Sequence, residues 1–214
     1  IKNPPAKAQV ILPTSPVKKI YTNPRLIKVG IIYGIVGFTY IVQSIFIMSF
    51  MLDAGLNQQL AGKLMAVSGI LSIFSSPIWG GVSDRLGRMN AILLAMGLNM
   101  LSTLIPVFFP TTLGFIVNIV IQGSVATGVM TLVQALSTEQ VASQDTPIAF
   151  SYVTFYFASG QLIGPSLAGW IIDFSGFRYA FFLLALFMVI SIYLCIQIST
   201  NKQVESNRAI NQNH

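Results

Sequence analysis

The chain has 214 residues, 54% of them hydrophobic and 8% charged, with a formal net charge of +6 and a mean hydropathy of +0.73. Soluble domains carry about a quarter charged residues, so this composition excludes a water-dressed globule. Lipid is the expected solvent, and the positive balance has to be explained by where the bases fall.

Residues 1–27 are rich in proline and lysine (Pro4, Pro5, Pro13, Pro16, Pro24; Lys2, Lys7, Lys18, Lys19). They hold no apolar core and no small-residue cleavage site, so a basic linker is expected and a secretory signal is not. The chain begins with Ile1 and reads as part of something longer.

Charges then divide the rest into blocks. Lys28 and Asp53 enclose 24 uncharged residues, Lys63 and Asp84 enclose 20, and Arg88 and Glu139 enclose 50. Asp145 and Asp173 enclose 27, and Arg178 and Lys202 enclose 23. A membrane-spanning helix needs about 20 predominantly apolar residues. The 50-residue block holds two, because Pro110-Thr111-Thr112 interrupts it. Six transmembrane helices are predicted: 29–52, 64–82, 90–109, 113–136, 148–172 and 179–198, with a tail over 200–214 and the whole membrane domain at 28–199. The runs are continuous rather than alternating, which excludes the segments of a membrane β-barrel.

If residues 1–27 are cytoplasmic, six crossings return the tail to the same side. Only Lys63 and Arg178 of the 12 basic residues then face outward, a strong positive-inside bias. The net charge is thus topological, with attraction to anionic lipid, and does not indicate nucleic-acid binding. A multi-pass protein of the cell (plasma or inner) membrane, both termini cytoplasmic, is expected.

Within the spans, uncharged polar residues fall at helical spacing. Tyr33, Tyr40 and Gln43 share a face of the first span, and Asn118 and Gln122 lie one turn apart in the fourth. The fifth carries Thr154 and Gln161 on one stripe, with Tyr152 and Tyr156 beside it. These are the candidate solute path, though such residues also serve as plain hydrogen bonds between helices. Spans three and six are almost wholly apolar and are expected to face lipid. No Asp, Glu, Lys, Arg or His lies mid-span, so the usual proton-relay groups are missing from this chain. The single histidine is His214 and the single cysteine is Cys195. No hydrolase triad, metal cluster or cofactor site can be built from them, and an enzyme is not expected.

The turn after the second span reads Gly80-Gly81-Val82-Ser83-Asp84-Arg85-Leu86-Gly87-Arg88. It resembles the signature loop G-x-x-x-D-[RK]-x-G-[RK] of the major facilitator superfamily of secondary transporters. There, Gly80 allows close helix approach and Gly87 supplies a turn that residues with a Cβ avoid. Asp84 accepts from a neighbouring helix's free amides, while Arg85 and Arg88 pair with carboxylates or phosphates. Met89 stands where the family usually has another base. The spelling recurs, loosened, at Gly169, Asp173, Gly176 and Arg178 after the fifth span, as expected if spans 1–3 and 4–6 are inverted three-helix repeats.

The resemblance implies an all-α membrane protein forming the C-terminal half of a twelve-helix permease. The basic linker and the uncharged Asn118–Gly123 stretch favour that half over the first. The stretches at 77–85 and 160–165 are similar to the "PLWG-x-L-S-D-R" and "GQ-x-x-GP" motifs of a poorly characterised group within the family. Gly160, Gly164 and Pro165 are expected to serve helix packing and a bend. The implied function is transport of a small organic solute by alternating access, with the N-terminal six-helix half and membrane lipid as partners and no cofactor. A rival is a self-contained six-helix channel-forming oligomer or scaffold, which would use the same helices and charge bias.

The topology has a direct test. Single cysteines at Ser15 and Ser175, in a Cys195→Ser background, should react with an impermeant thiol reagent from opposite sides of the membrane. Reaction from one side only would overturn the six-span arrangement.

Overall fold

The computed structural model describes residues 17–211, with side chains described from 19 to 200. The expected linker up to residue 16 and the last three residues lie outside the described residues. The described residues are helical throughout, with no strand: α1 (Val17–Tyr21), α2 (Pro24–Asp53), α3 (Gln58–Leu86), α4 (Arg88–Phe108), α5 (Thr112–Thr138), α6 (Thr146–Ser175) and α7 (Phe177–Asn211), plus a short 3₁₀ turn at Ser143–Asp145. Helices α2 to α7 hold the six predicted spans, the third of them ending one residue early, at Phe108.

The boundaries differ from the charge-based ones for local reasons. Asn23 caps α2, accepting from the Arg25 and Leu26 amides at 3.0 and 3.4 Å, with Pro24 preset at the first helical position. Helix therefore starts inside the stretch read as linker. Asn57 accepts from the Leu60 amide at 2.7 Å and starts α3 six residues before the predicted span. At the other end α7 continues to Asn211, so the stretch read as a tail from residue 200 continues the last helix.

Five helices, α2, α3, α4, α5 and the 177–200 part of α7, are long and apolar enough to cross a bilayer. Helix α6 matches them in length with 30 residues, but its Ser, Thr, Tyr and Gln residues dilute its apolarity.

Packing follows a pairwise plan. Helix α2 lies mainly on α6 and α3 mainly on α5, while α4 contacts α5 and α7, and α7 contacts α2. Exchanging α2, α3, α4 for α5, α6, α7 carries these pairs onto one another: α2–α6 becomes α5–α3, and α4–α5 becomes α7–α2. The turn glycines exchange too. Gly87 (φ 82°) ends α3 and Gly176 (φ 86°) ends α6, both in the left-handed region closed to side chains with a Cβ. This is the plan of two three-helix repeats.

Two seams let backbones approach closely. On the α2–α6 seam a Cβ at Gly160 would overlap the Gly34 carbonyl, and one at Gly164 would lie 3.0 Å from Ile41. On the α3–α5 seam Gly123 meets the Ser68 carbonyl and Gly128 the Trp79 ring. Polar groups cross the second seam as well. Ser75 Oγ accepts from the Gly128 amide at 3.0 Å, and Trp79 Nε1 donates to the Ser124 carbonyl at 2.9 Å. Gly80, expected to permit close approach, has open space where its Cβ would be; among the described residues the close contacts come from glycines of α2, α5 and α6.

The seams predict opposite outcomes for two similar substitutions. Gly160→Ala should cost about 1–3 kcal/mol by overpacking, whereas Gly80→Ala should be neutral or stabilise by up to about 1 kcal/mol. Thermal unfolding of both variants in detergent measures the contrast.

Candidate functional site

A cavity of ≈ 180 Å³ opens between α2, α3 and α5. Tyr40 and Gln43 of α2 line it with Asn118 and Gln122 of α5, so four of the residues proposed from sequence for the solute path come together. Ser44 of α2, Ser68 and Ser72 of α3 and Thr127 of α5 complete its polar lining, and Ile47, Met65 and Ile119 supply apolar wall. Among the described residues no charged side chain lines it.

Behind the cavity lies a buried polar layer. Asn118 is 0% exposed and donates through Nδ2 to the Ser102 carbonyl at 2.7 Å. That carbonyl is left over by Pro106, four residues on, which has no amide to offer it. Ser102 Oγ lies 3.1 Å from Gln122 Oε1 and Thr103 Oγ1 3.1 Å from Gln43 Oε1, and each hydroxyl shares its proton with the Asn99 carbonyl, at 2.7 and 3.0 Å. Two lining side chains keep an unpartnered amide atom, Nε2 of Gln43 and Oδ1 of Asn118. Along α4 and α5 this layer separates an apolar cluster around Ile92, Met96 and Leu132 from another around Phe50, Phe115 and Phe181.

Ser102, Thr103 and Asn99 correct the expectation that the third span is a plain lipid-facing helix: they are buried and support the cavity residues. Their signal was Asn99-x-x-Ser102-Thr103, polar residues on one helical face of an apolar run. Ser68, Ser72, Ser75 and Ser76 were legible in α3 by the same spacing. The last helix likewise holds a buried Ser191.

The other proposed path residues lie elsewhere. Tyr33 is buried and stacks on Phe157 with ring centroids 4.5 Å apart. Tyr156 packs against Gly30 and Gly34, and its hydroxyl lies 2.9 Å from that of Tyr152. Thr154 donates to the Phe150 carbonyl at 2.7 Å, while Gln161 is half-buried on α6; neither lines the cavity. The small residues of α2 draw α6 close, so this stripe meets helix instead of the cavity. Gly160 and Gly164 sit on that seam, and Pro165 lies inside the unbroken α6.

At the turn after α3, Gly87 breaks the helix and Arg88 opens α4. Arg88 Nε lies 2.7 Å from Glu139 Oε1 at the end of α5, a partner that sequence did not supply. Asp84 and Arg85 are exposed, and Asp84 makes no hydrogen bond or ion pair among the described residues. In the second copy Asp173 and Arg178 are exposed, and Gly169 approaches Phe46 only at 3.8 Å. Among the described residues no three His, Cys, Asp or Glu side chains are grouped to hold a metal.

This helix arrangement is that of membrane transporters. A peptide transporter POT solved with alafosfalin superposes with a TM-score of 0.73 over 86% of this chain and 42% of its own, at 18% identity. A POT family transporter solved with 5-aminolevulinic acid gives 0.70 over 80% and 37%, at 19%. The multi-drug resistance efflux pump PmrA of Streptococcus pneumoniae is 28% identical over 131 residues, 61% of this chain and 33% of the pump. Monocarboxylate transporter 12 of Xenopus laevis is 27% identical over 177 residues, 78% of this chain and 37% of the transporter. The chain thus spans about a third of the length of these relatives. The family described as "Uncharacterised MFS-type transporter YbfB" matches residues 2–196, and the chain belongs to it. It is a multi-pass membrane protein of a transporter family, not an enzyme.

The Arg88–Glu139 pair is about one-third exposed on both sides, so water and salt screen it. Arg88→Gln and Glu139→Gln should show a coupling of about 0.2–1 kcal/mol in a double-mutant cycle, fading at high salt. Unfolding of the four proteins at two salt concentrations measures it; a larger, salt-insensitive coupling would mean the pair is buried in the working protein.

Proposed function

We propose that the chain is the C-terminal half of a twelve-helix transporter that moves a small organic solute across the cell membrane by alternating access. The observation that carries this is the uncharged polar cavity between α2, α3 and α5 in a chain of an MFS-type family. In this reading α6 is also a span, the fifth in chain order, since 30 residues reach about 45 Å. Both termini are then cytoplasmic, and residues 1–27 link the chain to a preceding six-helix half. Large apolar side chains exposed on α3 and α6, such as Ile73, Phe74 and Leu162, fit faces covered by that half and by lipid.

The turn at 80–88 and its second copy at 169–178 act as gates in this scheme. Asp84 is free to pair in one state and release in the other, through charge-assisted hydrogen bonds of about 1.5–3 kcal/mol. A latch of that size shifts the balance between inward- and outward-open states without being needed for folding.

The test uses the full-length protein with Cys195→Ser and one cysteine at Ser72 in the cavity. Alternating access predicts labelling by an impermeant maleimide from either side in turn, and Asp84→Asn should skew the ratio several-fold at unchanged abundance. Labelling from one side only, or a ratio indifferent to Asp84→Asn, would favour a static channel or scaffold.

A further inference from the structure

We infer that the cavity seats an uncharged solute group that both accepts and donates a hydrogen bond, a primary carboxamide being the simplest, beside an apolar body. The inference rests on the transporter reading and adds the chemical class of the solute. Gln43 is 3% exposed and Asn118 0% exposed; both line the cavity, and each carries one amide atom without a partner.

Their orientations follow from their neighbours. The Ser102 carbonyl can be met only by a donor, so Asn118 must turn its Nδ2 there, leaving Oδ1 as a free acceptor. Gln43 sets Oε1 3.1 Å from Thr103 Oγ1, whose proton is shared with the Asn99 carbonyl at 3.0 Å, and leaves Nε2 without a partner as the free donor. Buried polar atoms left unpaired are costly; both atoms are shut off from water here, and a solute that parts the wall and offers the complementary pair removes that cost at both residues. A charged group gains nothing comparable: no ionic side chain lines the cavity, and burying an unpaired charge is far more expensive than burying a neutral amide. Ile47, Met65 and Ile119 provide the surface against which the apolar body lies.

The test compares 2-phenylacetamide, phenylacetate and phenethylamine, which share a ring and differ in the head group. Binding to the purified full-length protein is read by thermal shift and by protection of the Ser72 cysteine from maleimide. The amide should bind at least tenfold more tightly than the acid or the amine. Gln43→Met should weaken amide binding tenfold or more while leaving the ligand-free melting temperature unchanged or raised, since Thr103 also reaches the Asn99 carbonyl at 3.0 Å. Gln43→Glu should transfer the preference to the amine. Equal binding of all three compounds, no binding of the amide, or amide binding indifferent to Gln43→Met would overturn the inference. None of these outcomes touches the two-sided labelling on which the transporter reading is judged. If either variant fails to fold, the ranking of the three compounds on the unmodified protein still decides.

Discussion

A hydrocarbon solvent gives helices no hydrophobic reason to associate, so this chain must hold itself together by contact and hydrogen bonding alone. Its answer is two seams where bulk has been removed. Gly34 and Gly160 bring α2 onto α6, while Gly123 and Gly128 bring α5 onto α3. Once these pairs are set, α4 and α7 can pack behind α2 and α5, and the cavity is the space left where α2, α3 and α5 do not close. Close approach at one place makes room at another.

The same solvent explains why the polar residues form a layer. A proline in α4 strands a carbonyl that water cannot reach, and Asn118 of α5 meets it. Thr103 and Ser102 then engage Gln43 and Gln122, so four helix-borne side chains become mutually dependent within a few ångströms. Buried hydrogen bonds of this kind fix a unique arrangement because every alternative leaves a polar atom unpaired. Three amide atoms remain unpaired even so, on Gln43, Asn99 and Asn118, and the first and last of these residues stand on the cavity wall.

Much of this was legible in the sequence. Charge spacing located all six long helices, because ionic residues are excluded from hydrocarbon whatever the packing. The turn glycines were legible because a helix broken between Asp84 and Arg88 needs a residue tolerant of positive φ, and Gly176 repeats the device. What sequence could not rank was one polar stripe against another. Tyr33 and Tyr156 have the same spacing credentials as Tyr40 and Gln43; only the depth of the α2–α6 seam decides which pair meets helix and which meets the cavity. Asn99, Ser102 and Thr103 were hidden by the apolar average of α4. Glu139 was visible as a charge, but its pairing with Arg88 depends on α4 and α5 lying side by side.

The doubly engaged turn of α5 has a mechanical consequence. The Gly128 amide and the Ser124 carbonyl, one turn apart in an unbroken helix, each take a bond from α3 as well. Two such ties resist sliding as well as separation, since a shift of either helix along its axis strains both at once. Helices α3 and α5 therefore behave as one stiff wall of the cavity.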